Sequence, residues 1–197
     1  MRRKLGTSTI HSIYEAGDGA YWMGVADNAF VLYDSADGSI TRYNEIAGFE
    51  GLTSISAAFA IKKRNVTDEI CFGTYSEGLW IYDPKTDKVK AFSTQTQPNM
   101  PNNSILSLEN DAFGNLWIGT HAGVCILTPS DELLSLYEYL PCTQTEQLND
   151  QIHGLAASED GKMFLATLQS GVVEVDIGAC CACARIQIRI SGDGQVC

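Results

Sequence analysis

The sequence is poor in positive charge, poor in proline and without any long apolar run. Thirteen Lys and Arg stand against 24 Asp and Glu, a net charge of −11. A surface that tracks phosphates needs clustered cations, so this balance argues against nucleic acid as a partner. The two basic clusters, Arg2-Arg3-Lys4 and Lys62-Lys63-Arg64, read as a solvated terminus and a solvated loop. No stretch approaches the roughly 18 apolar residues of a membrane span, so no membrane contact by this segment is expected. The start "MRRKLGTSTIHSIYEAGDG" has a charged head but no apolar core, and read literally it is not a secretory signal.

Paired cysteines are missing too. Seven cysteines at irregular spacing fit no disulfide framework. Cys71 and Cys125 fall inside strand-like runs and read as small buried hydrophobes. Cys180, Cys181 and Cys183 in "GACCACA" have no second Cys or His pair at finger-like spacing. Adjacent Cys180 and Cys181 would also face opposite sides of a strand, so neither metal nor cofactor is expected. No Ser-His-Asp order, carboxylate pair or phosphate-cradling glycine loop is present. The "GDG" stretches are turns, because no helix follows them.

Glycine, by contrast, is abundant: 18 residues against five prolines. It also recurs in register. "GVADNAFVLYD" (24–34), "GTYSEGLWIYD" (73–83), "GTHAGVCILTP" (119–129) and "ATLQSGVVEVD" (166–176) each give a small residue, a polar tip and an apolar run. The anchors Gly24, Gly73, Gly119 and Ala166 are spaced by 49, 46 and 47 residues. Upstream of them, "IHSIYEAGDGAYWMG", "NSILSLENDAFGNLWIG" and "IHGLAASEDGKMFLA" read as strand, acidic-Gly turn, strand. In the second unit a longer basic turn replaces the Asp-Gly. Downstream, "ITRYN", "KVKAFS", "LLSLYEY" and "ARIQIRI" alternate as a last strand.

Four short strands per unit at this period predict an all-β chain of β-propeller blades. The four blade-like repeats run over 8–44, 52–93, 103–139 and 150–190, the last with a degenerate end. Trp22, Cys71, Trp117 and Phe164 share one position on the second strand and are expected to fill space between blades. The anchor glycines permit close backbone approach, and Gly78, Gly123 and Gly171 fall where a tight hairpin needs positive φ.

The stretch "NNSILSLENDAFGNLWIGTHAGVCIL" resembles the two-component regulator propeller repeat, whose pattern runs roughly N-x-I-x-x-I-x-x-D-x-x-G-x-L-W-I-G-T-x-x-G-L. Asn103, Ile105, Asp111, Gly114, Leu116, Trp117, Ile118, Gly119, Thr120 and Gly123 match, and Leu108 and Val124 replace similar residues. In the second unit Gly73, Thr74, Gly78, Leu79, Tyr82, Asp83 and Pro84 match the later half. The resemblance implies a periplasmic sensor of a hybrid two-component histidine kinase, as in Bacteroidetes, that recognises oligosaccharides as a homodimer. It also implies a seven-bladed propeller, of which four units would be a fragment. Any kinase activity would lie outside this chain.

Numbering strands one to four within a unit places the turns two-to-three on the same side as the connections to the next unit. That side carries the long polar stretches "NEIAGFEG", "STQTQPNMPNN" and "LPCTQTEQLNDQ", where binding residues accumulate on a rigid scaffold. Its candidate ligand residues are Asp27, Asn28, Tyr75, Ser76, Glu77, Asn102, His121, Asn149, Gln169 and Ser170. Amides, carboxylates and aromatic rings suit a sugar, whose hydroxyls need donors and acceptors and whose ring faces stack. His11 and His153 occupy equivalent places on the first strand, with Thr53 and Leu106 at the other two. A propeller enzyme, a lyase or hydrolase using those histidines in a central channel, stays open as an alternative, as does a protein-interaction scaffold.

Overall fold

The computed structural model describes residues 8–26, 28–52, 56–136, 149–177 and 186–189. Asp27, Thr53 and the Cys180–Cys183 cluster lie outside the described residues. Within them, β1 (Ile10–Gly17), β2 (Ala20–Val25), β3 (Phe30–Asp34) and β4 (Ile40–Arg42) form one sheet. A second holds β5 (Ala58–Lys63), β6 (Ile70–Thr74), β7 (Leu79–Asp83) and β8 (Lys88–Phe92). A third holds β9 (Ile105–Asn110), β10 (Leu116–Thr120), β11 (Gly123–Leu127) and β12 (Leu133–Ser135). The fourth holds β13 (Ile152–Ala157), β14 (Lys162–Thr167), β15 (Val172–Asp176) and β16 (Ile186–Arg189). Each sheet pairs its strands in sequence order as an antiparallel meander, the form of a propeller blade. Two outer strands are shorter than the alternation suggests: β4 gives way to a 3₁₀ turn at Tyr43–Glu45, and β12 is three residues long.

Contacts group the chain into two units. One contains the first two sheets and residues 103–105, the other residues 94–102 and the chain from Leu106 onward. In the first, Trp22 meets Phe72 edge to face at 5.1 Å, and Phe30 stacks on Phe72 at 3.9 Å. Phe49, Tyr43, Leu52 and Ile61 complete that core. In the second, Trp117 is wholly buried among Val124, Ile126, Ile152, Met163, Leu165 and Val173. Trp22 and Trp117 therefore fill the space between consecutive sheets, as their repeat position predicts. Cys71 and Cys125 are fully buried thiols, and burial pushes the Cys125 thiol up from its ordinary pKa.

The anchor glycines share one job. A Cβ on Gly24 would collide with the Ala58 carbonyl, one on Gly73 with the Ile105 side chain, and one on Gly119 with Ile152 and Ser107. Each thus lets the first residue of the next first strand press against bare backbone. A serine completes two of these contacts: Ser12 Oγ donates to Ala58 O at 2.8 Å, and Ser107 Oγ to Ile152 O at 2.9 Å. In the fourth sheet the small residue moves across the ladder. Gly154 on β13 pairs with Ala166 on β14, whereas Ser12 pairs with Gly24 and Ala60 with Gly73.

Each turn between first and second strands is solved differently. Asp18 and Gly19 take φ of 51° and 79°, the left-handed pair that a two-residue hairpin needs. In the third sheet the buried Asp111 carboxylate accepts from Asn115 N, Asn115 Nδ2 and Trp117 Nε1 at 2.8–2.9 Å. The second sheet corrects the reading of Arg64 as solvated. Arg64 is fully buried, with Nη1 donating to Glu69 Oε2 at 2.7 Å, and Thr67 and Lys90 also bond that carboxylate. Lys62 and Lys63 lie in β5 instead of a loop. A buried ion pair holds this turn, where the third sheet uses an acid–amide–indole cluster.

Gly24→Ala is expected to destabilise the chain by about 2–3 kcal/mol or more, because backbone cannot yield as a side chain can. Ala166→Gly, at an exposed position, is expected to change stability by about 1 kcal/mol or less. Urea unfolding midpoints of the two variants check the contrast.

Candidate functional site

The β6–β7 tip, residues 75–77, is built from a fixed set of bonds. Thr74 Oγ1 donates to Gly78 O at 2.8 Å and accepts from Glu77 N at 3.0 Å, closing the hairpin from inside. Gly78, at φ 78°, supplies the left-handed step. Thr120 and Gly123 repeat the arrangement in the third sheet, and Thr167 and Gly171 in the fourth. The Gly-Thr pair of the repeat is therefore a hairpin lock, not a ligand cradle.

Each tip also meets the chain entering the sheets. In the first unit Tyr75 N donates to Ala57 O at 3.1 Å, and Ser76 N and Oγ lie 3.3 and 3.2 Å from Ser56 Oγ. On the other flank Gly78 N donates to Asn103 O at 3.0 Å, and Ser104 Oγ donates to Tyr75 O. Trp80 Nε1 donates to Glu77 O at 3.2 Å. Asn28 sits on the β2–β3 tip, where Ala58 N donates to the neighbouring Ala29 O at 2.8 Å. The structure thus brings Tyr75, Ser76 and Glu77 onto one tip beside residues 56–57 and 103–104.

Three rings adjoin there. His11 stacks on Phe59 with centroids 4.4 Å apart, and Phe59 lies 5.3 Å from Tyr75. His11 and Phe59 each occupy a register shift at the second residue of their strands, between Ile10 and Ser12 and between Ala58 and Ala60. His153 occupies the same kind of shift in β13. Phe59, not Thr53, is therefore the second-sheet counterpart of His11. The resemblance of "LTSIS" to "IHSI" hid it, because the connection into the second sheet is longer than the alignment allows.

In the second unit the organising group is Asp150. Its backbone carbonyl accepts from Gly123 N at 2.8 Å, and its carboxylate accepts from Gln169 N, Ser170 N and Ser170 Oγ at 2.9–3.0 Å. It thereby ties the β10–β11 and β14–β15 tips together. Burial opposes its ionisation, but the bonds from Gln169, Ser170 and Gln151 prevail and hold its pKa at about 2. Ser170 spends its hydroxyl on this clamp, while the Gln169 side chain projects from an exposed residue. His121 is half-buried on the β10–β11 tip, Asn149 is exposed beside Asp150, and Asn102 is half-buried on the chain leading to β9. His153 Nε2 lies 3.2 Å from Gln151 Oε1. Among the described residues no group of three His, Cys, Asp or Glu side chains is placed to hold a metal ion. No helix among them is long and apolar enough to cross a membrane.

Residues 99–122 match the model of the two component regulator propeller family. The match spans β9, β10 and the turn between them. Asp111, Trp117, Gly119 and Thr120, whose roles are given above, all lie within the matched residues. No curated protein sequence matches the chain. Among solved structures, the extracellular domain of the hybrid two component system BT3049 from B. thetaiotaomicron superposes with a TM-score of 0.70 at 21% identity. That match covers 96% of this chain and 23% of the other. The extracellular domain of the hybrid two component system BT4673 from the same organism gives 0.69 at 18% identity, over 94% of this chain and 23% of the other. The computationally designed Ika4 protein gives 0.60 at 12% identity, over 90% of this chain and all of its own. The likeness establishes the propeller fold, and the chain spans about a quarter of the length of the two sensor domains.

The Asp150 clamp has a pH signature. An unfolded Asp titrates near about 3.9, whereas the folded carboxylate titrates at about 2. The stabilisation is therefore complete above about pH 4 and is lost as the pH falls towards 2. Asp150→Asn should lower stability at pH 7 by about 1–3 kcal/mol and flatten the stability profile between pH 4 and 2. Denaturant unfolding of both proteins across that range measures the difference.

Proposed function

We propose that this chain is a ligand-sensing propeller module of a two-component signal-transduction system. In this reading it binds a carbohydrate-like ligand on the side carrying the hairpin tips and the connections that enter the sheets. The observation that carries it is the locked tip of residues 75–77, which offers a half-exposed Tyr75 beside Ser76 and Glu77. The second unit separately offers His121, Gln169 and Ser170 on its own tips, with Asn102 and Asn149 on its connections. The family repeat and the extracellular sensor domains that share the fold support the signalling half of the reading. The same neighbours, extracellular domains of two component systems, support a location outside the inner membrane, and a periplasmic, homodimeric full-length receptor is part of the proposal.

A binding role agrees better than catalysis with the histidines. His11 is stacked on Phe59 and His153 adjoins Gln151, contacts that suit a stacking or hydrogen-bonding surface. Isothermal titration of the chain with a panel of plant and host oligosaccharides tests the proposal. Saturable heats with at least one glycan are expected, and flat traces across the panel would remove the carbohydrate reading.

A further inference from the structure

The His11–Phe59–Tyr75 row has a structure of its own. Its three rings come from three elements: the shifts in β1 and β5, and the β6–β7 tip. A register shift re-aims one side chain out of the ladder's alternation, and such shifts gather next to binding sites. Here two of them turn rings from adjacent strands of the first unit into contact. The row is also open to solvent. Tyr75 is 47% exposed, His11 is exposed and Phe59 half-buried.

Rigidity sets the row apart from incidental surface aromatics. The Tyr75 backbone is held at both ends, its N–H on Ala57 O and its carbonyl by Ser104 Oγ. The next residue is held by Ser56. A ring mounted on a fixed backbone loses little freedom when a ligand settles on it, which raises the net gain from stacking. Corresponding positions elsewhere do not assemble such a row. The residue at the Tyr75 place is Ala26, His121 or Leu168, and the residue at the Phe59 place is His11, Leu106 or His153. The second sheet alone carries a benzenoid ring at both places.

Chemistry narrows the occupant. Aromatic faces stack on the C–H faces of a pyranose, and exposed Ser76 and the Glu77 carboxylate put hydrogen-bonding groups for ring hydroxyls on the same tip. Charge selects further. The chain carries −11, and Glu77 places a carboxylate on the same tip. Sulfated or uronic-acid glycans would be repelled at long range and at the site.

We propose that Tyr75, Phe59 and His11 form a stacking subsite for an uncharged pyranose ring. This rests on the reading of the tip side as the ligand-binding side. The test is titration of the chain with neutral hexose oligosaccharides and, separately, with sulfated and uronic-acid ones, followed by variants. Tyr75→Ala and His11→Ala should each weaken binding of a neutral glycan by about 3- to 10-fold. Tyr75→Phe should restore most of the loss. Glu159→Ala, at an exposed position on the β13–β14 turn, should leave the affinity within about 2-fold. Circular dichroism and urea midpoints of the variants separate lost binding from lost fold.

Neutral binding unchanged in both alanine variants would overturn the subsite while leaving the carbohydrate reading intact. Preference for the anionic glycans would overturn the uncharged assignment. Absence of any glycan binding would remove the subsite together with the reading on which it rests.

Discussion

The Ala58 carbonyl occupies the place where a side chain on residue 24 would begin. That one steric exclusion governs how successive sheets meet. Gly73 and Gly119 repeat it against Ile105 and Ile152. Because the first strand of one sheet can press on the second strand of the last, the large residues two positions away, Trp22 and Trp117, have a closed space to fill. The order of cause runs from the missing Cβ to close approach, and from close approach to aromatic packing. Were the backbones held apart, the same indoles would line a gap and lose contacts on one side. Ser12 and Ser107 exploit the approach by bonding the incoming carbonyl, so a polar atom forced into a dry contact is satisfied.

The same division of labour separates internally bonded positions from variable ones within the repeat. Asp111 binds the indole N–H of Trp117 and fixes the turn, Gly119 clears the next strand, and Thr120 with Gly123 locks the hairpin. Nearly every motif letter is spent on internal bonds. The residues between the threonine and the tip glycine are the ones left to vary, and they differ at every tip: Tyr75-Ser76-Glu77, His121-Ala122 and Leu168-Gln169-Ser170.

How much of this was legible in the sequence follows from the same logic. Steric and torsional demands repeat, so Gly24, Gly73, Gly119, Gly78, Gly123 and Gly171 announced their roles by position. Interactions that occur once do not repeat. Arg64 and Glu69 form a buried pair across a turn whose composition looks solvated, and nothing in a run of Lys-Lys-Arg marks the third residue as interior. Phe59 was invisible for a related reason. Its place depends on a register shift within β5, and a serine-rich stretch five residues earlier imitates the start of a first strand. Asp150 could be seen as a polar connection residue, but its role as a clamp for two tips needed the contacts of three separate backbone amides.

The clamps also bear on how a bound ligand could be felt beyond its own tip. Gly78 N bonds Asn103 O and Ser104 Oγ bonds Tyr75 O, so the β6–β7 tip is fastened to the residues that lead into β9. Asp150 fastens the β10–β11 and β14–β15 tips in the same manner. A ligand that shifts the Tyr75 backbone must either break the Ser104 bond or carry Ser104 with it. That bond is exposed, and the backbone bond from Gly78 N to Asn103 O stands beside it, so a shift of the tip strains two ties to the same short segment. Tip loops in this fold are therefore poorly suited to act as independent flaps.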